Sequence, residues 1–457
     1  MSGPAILAHR PSAGPPRPYH FPGFRRARLD NGLTVIAADV PGRPLMAAAL
    51  LLPGGAGHEP ARLAGVSSLA ARALSEGTRR RDAVAFIEAS ERLGASVGAS
   101  CDWEMLSLSL TVPRGRLEPA LELLDEMLRE PAFPAHEIER LREQRLNELL
   151  QAAAQPGRRA ERTFLAHIYA PSSPYARPMG GDEETVPRLE RAELVARHEA
   201  HLEPAQATLI LAGDMEGLDA VAVAQARFGG WRPTPGVGGA APTPVPAEPA
   251  AGAHATVVVD RPGSPQSEVR IGHVGLRRRI PDYHATIVLT TMLGGLFNSR
   301  LQRLLREEKG YTYHISAGFD FRRSPGPFGV RTAVQTEVTA PAVSEALGVL
   351  RRLTTDAPTP AELSEAREFL IGVFPLRFES PEQVAGAIAG LVTQELPDDE
   401  LDRYRPAVAA VTAADVVAAS SHIQPDAAAI VLVGDAERIV PGLDAAGLGP
   451  VQVVPAA

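Results

Sequence analysis

An α+β fold of two homologous domains, each a mainly antiparallel sheet covered by helices, is predicted by three features of this 457-residue chain. First, residues 233–254 are rich in Pro, Gly and Ala, with little to bury and many helix breakers. The stretch reads as a linker that divides the chain into halves of similar length. Second, the halves carry matching pieces. Residues 207–214 (ATLILAGD) and 428–435 (AAIVLVGD) are apolar runs that end in Gly-Asp. The proline-led helix openings at Pro134 and Pro360 stand at a similar offset, as a duplication requires. Third, strand runs mix with helix pairs in each half, the pattern of helices layered on a sheet. The expected boundaries are a loose tail over 1–23, a first domain over 24–232, the linker over 233–254 and a second domain over 255–457.

The elements follow in chain order. Leu33–Ala38 and Leu45–Leu52 read as strands before the glycine break at Gly54–Gly57, and Leu63–Leu74 as a helix. Met105–Val112 alternates apolar and polar residues, the mark of a half-buried strand. Leu117–Leu128 and Ala135–Ala154 are amphipathic helices. In the second half, Thr256–Val259 and Glu268–Gly272 read as strands, His284–Leu305 as one long helix and Val330–Glu337 as a strand.

Composition narrows the function. Hydrophobic residues make up 45% and charged residues 22%, as in soluble globular proteins. A net charge of −8 argues against a nucleic-acid partner. The single cysteine, Cys101, excludes an internal disulfide framework and a Cys-x-x-Cys zinc site. No run reaches the ~18 apolar residues of a membrane helix, and residues 1–23 lack an apolar core of signal-peptide length. The expectation is a soluble, cytoplasmic protein without a membrane partner. Ser67 and Ser68 lie in no nucleophile elbow, Cys101 in no nucleophile motif, and Gly54-Gly-Ala-Gly does not make a dinucleotide loop.

Several ordered motifs resemble one family. They are Leu29-Asp-Asn-Gly-Leu-Thr-Val, Gly57-His-Glu-Pro-Ala-Arg-Leu-Ala-Gly65, Ser173-Pro-Tyr-Ala-Arg-Pro-Met-Gly-Gly-Asp-Glu-Glu and the segment from His201 to Asp214. The most specific is Gly294-Gly-Leu-Phe-Asn-Ser-Arg-Leu-Gln-Arg-Leu-Leu-Arg-Glu-Glu-Lys-Gly-Tyr-Thr-Tyr313. From about Phe24 to Val440 the chain is similar to the M16 metallopeptidases, the group of pitrilysin, insulinase and mitochondrial processing peptidase. The resemblance implies two homologous domains facing each other across a peptide chamber. It also implies a zinc site from an inverted His-x-x-Glu-His helix and a later Glu. Two His four apart share one helix face and one metal, and the Glu between them acts as general base for bound water.

The motif itself is absent. Aligned on Gly65 and Gly77-Thr78, Ser68 stands at the first ligand, Ala71 at the base and Arg72 at the second ligand. Serine is a poor zinc ligand, alanine accepts no proton, and arginine is a permanent cation that repels a metal. Glu148, 76 residues after Arg72, keeps the third-ligand position. It is either a relic on a solvated helix or the partner of Arg72 in an ion pair. No metal is expected in this chain. His198 and His201, at i and i+3, read as exposed helix-end residues, His58 as a turn residue, and Cys101 as a small core thiol.

The resemblance further implies that Arg306 and Tyr313, seven residues apart, contact substrate. Arginine holds a carbonyl or carboxylate through forked bonds, and a phenol donates to a developing oxyanion. Some M16 peptidases are heterodimers in which one subunit carries zinc and the other this pair. The chain resembles the zinc-less partner, with zinc expected in the other subunit and peptide bound by strand addition. In the corresponding strand Gly98 replaces the usual Asn. The alternative is a metal-free peptide-binding or scaffold protein with no role in proteolysis. The linker is either a hinge or a plain spacer.

Overall fold

The computed structural model describes residue 14 and residues 16–233, 243–252 and 254–455. Residues 1–13 and 15 of the expected tail, and residues 234–242 and 253 of the expected linker, lie outside the described residues.

The first half runs β1 (Phe24–Arg28), β2 (Thr34–Asp39), β3 (Leu45–Pro53), α1 (Val66–Ala73), α2 (Ala83–Leu93), β4 (Ser96–Cys101) and β5 (Met105–Pro113). It continues with α3 (Leu117–Arg129), α4 (Ala135–Ala154), α5 (Pro156–Ile168), α6 (Arg191–Glu199), β6 (Thr208–Gly213) and α7 (Ala220–Phe228). The second half opens with β7 (Thr256–Asp260), β8 (Gln266–Val274), α8 (Tyr283–Thr290), β9 (Ile315–Phe319) and β10 (Pro327–Gln335). Then come α9 (Thr339–Arg352), α10 (Pro360–Val373), α11 (Pro381–Thr393), α12 (Glu400–Ala410), α13 (Ala413–Ala419), β11 (Ala429–Gly434), α14 (Ala436–Ala445) and β12 (Val451–Val454).

Two six-stranded sheets result, ordered β1-β2-β6-β3-β5-β4 and β12-β7-β11-β8-β10-β9. Five positions of one match five of the other, with β6 and β11 in the same place. The sixth differs: β1 precedes its neighbour and pairs antiparallel, whereas β12 ends the described chain and pairs parallel. The sheets are mixed. β2–β6, β7–β11 and β7–β12 are parallel, and the other pairings antiparallel.

Both β6 and β11 are buried along their whole length, which explains their unbroken apolar character. On β6, Leu209 and Leu211 face α1, α3 and α7, while Ile210 and Ala212 face the other way. That second face is covered by α11 from the other half, through Val384, Ala385 and Ile388. The cover is returned. Phe164 and Ile168 of α5 pack on Val257, Ala429 and Val431 of the second sheet, and Ala160 on Val259 and Val433. Glu161 of α5 accepts from Arg270 at 3.1 Å and from Arg331 at 3.0 and 2.9 Å. The halves thus exchange one helix each. The exchange is symmetric: α5 follows α4 as α11 follows α10.

Three expectations change. Residues 17–23 are not loose. Tyr19 stacks on Phe378, Phe21 is buried, and the Phe21 N–H donates to Asp402 at 3.0 Å, which docks the segment on the second half. The linker end is strapped to the first half as well: Val245 is buried, and Ser173 donates to the Pro246 carbonyl at 2.6 Å. The long helix expected over His284–Leu305 is broken. After α8 the turns widen into π-helix at Thr291–Gly295, the backbone is extended at Leu296, and a second π segment spans Gln302–Glu308. A Cβ on Gly294 would strike the Ala317 backbone, so the glycine lets the widened turn lie against β9.

Because each sheet borrows its second cover, we expect one cooperative unfolding transition in urea rather than two. Phe164→Ala and Ile388→Ala should each lower stability, by about 3–5 and 2–5 kcal/mol respectively. Two separated transitions in the wild-type chain would contradict the exchange.

Candidate functional site

The first site is built on α1. Its start is held by Glu59, whose buried carboxylate accepts from the N–H groups of Gly65 at 2.7 Å and Ser67 at 3.0 Å. An anion here meets the positive end of the helix. Burial pushes the Glu59 pKa up, against these hydrogen bonds. Gly65 has φ +96, and a Cβ there would strike the Gly180 carbonyl, so glycine alone lets the helix start against this loop. The Ser67 hydroxyl accepts from Arg197 Nε at 2.8 Å.

One turn separates Ser68 from Arg72. Ser68 is half-buried and Ala71 buried. Arg72 Nη2 donates to both oxygens of Glu148 on α4, at 2.9 and 3.2 Å. Arg145, one turn earlier on α4, donates to the same carboxylate at 3.2 Å and to the carbonyls of Gly180 and Gly181 at 3.0 and 3.1 Å. Burial opposes ionisation of Glu148, but the two guanidiniums outweigh it and hold its carboxyl below the usual range. The remaining terminal nitrogen of Arg72, Nη1, is buried without a partner among the described residues.

This group does not suit zinc. A metal needs electron-pair donors. Of the four side chains, only Glu148 offers them strongly, and its oxygens already accept from two cations. The buried orphan is itself a hydrogen-bond donor. Among the described residues no three His, Cys, Asp or Glu side chains converge on one point.

The second site lies beyond the π-helical segments. Arg306 is in the second π segment and Tyr313 in the loop before β9. The guanidinium carbon of Arg306 lies 4.3 Å from the centre of the Phe297 ring and 5.1 Å from that of Tyr313. Arg306 Nε also reaches Glu307 at 3.3 Å. Phe297 is 61% and Tyr313 85% exposed. The structure brings Arg72 to Glu148 and Arg306 to Tyr313. No hydrogen bond or ion pair joins the two pairs among the described residues.

The other candidates are structural. His198 and His201 are buried, not exposed. Each ring meets a backbone carbonyl, of Leu128 at 2.7 Å and Pro53 at 2.9 Å. Burial pushes their pKa values down to about 4 and about 3. His198, near the end of α6, thus faces α3, and His201, just beyond it, faces the end of β3. His58 contacts the Thr243 carbonyl at 2.8 Å. Desolvation, aided by the charges of Glu59 and Asp102, pushes the Cys101 thiol up to about 12, which leaves little thiolate at neutral pH. Gly98 lies on β4, an edge strand, with open space where a Cβ would stand. Phe297 and Arg145 were not singled out from the sequence. The spacing of Arg145 from Glu148, three residues on a helix, was the available sign. Phe297 had none, since its exposure depends on the break after Gly295.

The chain is similar to several known proteins. The family model described as insulinase (peptidase family M16) matches residues 34–181, and that described as peptidase M16 inactive domain matches residues 188–370. An uncharacterized zinc protease of Mycobacterium tuberculosis is 25% identical over 78% of this chain and 80% of its own length. A non-peptidase homolog, YmxG, of Helicobacter pylori is 24% identical over 69% of this chain and 72% of its own. A crystal structure described as a peptidase M16 inactive domain from Pseudomonas fluorescens superposes with a TM-score of 0.82 at 27% identity. That match covers 90% of this chain and 98% of the other.

Two outcomes follow from the ion pair. The purified chain should hold no stoichiometric zinc by elemental analysis, whereas Ser68→His/Ala71→Glu/Arg72→His, with Glu148 retained, should gain it. Zinc retained by the wild-type chain through dialysis against a chelator would contradict the assignment. Glu148, with its folded pKa lowered, contributes stability above the unfolded carboxylate value of about 4.3, lost as pH falls through the lower folded value. The side chains are 36% and 30% exposed, so screening limits the contribution to about 1 kcal/mol. In acid denaturation, Arg72→Ala should lose about that much at neutral pH and approach the wild type as pH falls below the lowered folded value of Glu148.

Proposed function

The chain belongs to the M16 peptidase family, and we propose that it is the zinc-less subunit of a two-chain peptidase in the cytoplasm. It closes the peptide chamber of a partner that carries His-x-x-Glu-His. One observation carries this reading: the first half has Ser68, Ala71 and Arg72 where hydrolytic groups would stand, while the second places a half-buried arginine beside a tyrosine held out to solvent. At 85% exposure Tyr313 buries almost nothing for its own fold, and its position beside Arg306 needs another use. The relation to proteins described as inactive M16 domains and non-peptidase homologues supports a chain without hydrolytic activity of its own.

The zinc, held by the partner, supplies the polarised water. The work of this chain is to bind and orient. Arg306 forks to a peptide carbonyl or carboxylate. The flanking Phe297 and Tyr313 rings narrow the guanidinium's freedom by cation–π contact, which lowers the ordering cost of binding. The Tyr313 hydroxyl is left to donate to the carbonyl oxygen as it gains charge. The description of the Helicobacter pylori relative also favours a second reading, a metal-free peptide-binding scaffold with no part in proteolysis.

Mixing separates the two. The chain alone should cleave nothing, and addition of an M16 subunit bearing His-x-x-Glu-His should give peptidase activity. In that complex Tyr313→Phe should lower kcat about 100-fold with assembly intact, and Arg306→Ala should raise KM. Unchanged turnover in Tyr313→Phe would remove the tyrosine from the mechanism. Lack of activity with the zinc-bearing subunit of the same genome would favour the scaffold.

A further inference from the structure

The helices α4 and α5 form a hairpin with a cleft of about 880 Å³ between them, closed at one side by residues near Pro178 and Glu183. We propose that this cleft is a subsite for an extended acidic peptide segment, with carboxylates at alternate positions held by Arg158 and Arg162. The proposal rests on the reading of the chain as a peptide-handling subunit and adds a binding preference to it.

The charge count comes first. Arg145, Arg158, Arg159 and Arg162 line the cleft, against Glu148 and Glu183. Arg72 stands behind Glu148 and adds a further cation. This local excess of positive charge sits on a chain of net charge −8. Some of it is committed. Arg162 forks to Glu183 at 2.7 and 2.8 Å, and Arg145 is held by Glu148 and two carbonyls. Arg158 is exposed and has no ion pair or hydrogen bond among the described residues. It also lies in the first turn of α5, where unpaired N–H groups and the helix dipole favour an anion.

Spacing selects a peptide. Arg158 and Arg162 are one turn apart on one helix face, about 6 Å along the axis. In an extended chain, side chains on one side recur every two residues, at about 6.6 Å. Two carboxylates at i and i+2 therefore match the two guanidiniums, with the Arg162 fork exchanging Glu183 for the ligand. Leu149 and Ala152 give the cleft an apolar wall, suited to the methylenes of glutamate side chains. Arginine rather than lysine supplies every cation here, and its planar fork matches a carboxylate.

The experiment uses fluorescence anisotropy on the full chain. The probe is a fluorescein-labelled nonapeptide with Glu at alternate positions, and the control is its Gln counterpart. The acidic peptide should bind about 10-fold tighter at low salt, the effect of one charge-assisted contact. The gap should close near 1 M salt, where the Debye length is about 3 Å. Arg158→Glu should abolish the preference, and Arg158→Lys should keep part of it. Because Arg158 is exposed and makes no ion pair or hydrogen bond among the described residues, neither change threatens folding. Equal affinities, a preference that survives Arg158→Glu, or binding of neither peptide at about 1 mM would overturn the subsite. Cleavage of a neutral peptide by the mixed two-chain enzyme reports separately: if it persists while the preference is absent, only the subsite falls. A preference without any restored cleavage keeps the subsite and removes the two-chain reading.

Discussion

Each sheet of this protein has two apolar faces, and one face of each is covered by a helix from the other half. That constraint governs the molecule. The six-stranded sheet of the first half is closed by α11, and that of the second by α5. Exposure of either face would leave residues such as Ile210 and Val431 in water, at about 1.5–3 kcal/mol for each fully exposed side chain. The Glu161 ion cluster with Arg270 and Arg331 adds direction to the α5 contact. The docked segment 17–23 and the strap at 243–250 add further ties between or along the halves. A hinge motion between the halves would have to pull these covers away.

The same joint carries the functional elements. α4 and α5 are consecutive, and the face of α5 opposite the second sheet forms one wall of the arginine-lined cleft. Glu148 on α4 is held both by α1, through Arg72, and by Arg145 of its own helix, which is itself tied to the Gly180 and Gly181 carbonyls. An ion pair in this position does by charge what a bridging metal does by coordination: it links α1 to α4. It does so weakly, because both partners are about a third exposed, and it offers no chemistry to a peptide bond.

The second half reaches its surface site by a different device. Widened π-helical turns are frequent at functional sites, and here two of them flank the segment that presents Phe297. Gly294 allows the first to lie on β9. The result is a guanidinium between two rings, at the rim of the sheet edge formed by β9.

The sequence by itself determined the duplication, the α+β class and most elements, because burial on both faces writes continuous apolar runs and one-sided burial writes alternation. Given the resemblance, it also placed Ser68, Ala71 and Arg72 where ligands and a base are expected, and residue identity suffices to show that these side chains are poor zinc donors. Only the tertiary structure decided that Arg72 and Glu148 meet, that α5 and α11 change places, that His198 and His201 point inward and that the helix after His284 breaks. The reason is common to all four. Periodicity reports which face of a segment is apolar but not which neighbour covers it, and partners 76 residues apart, or on opposite halves of the chain, are chosen by packing alone.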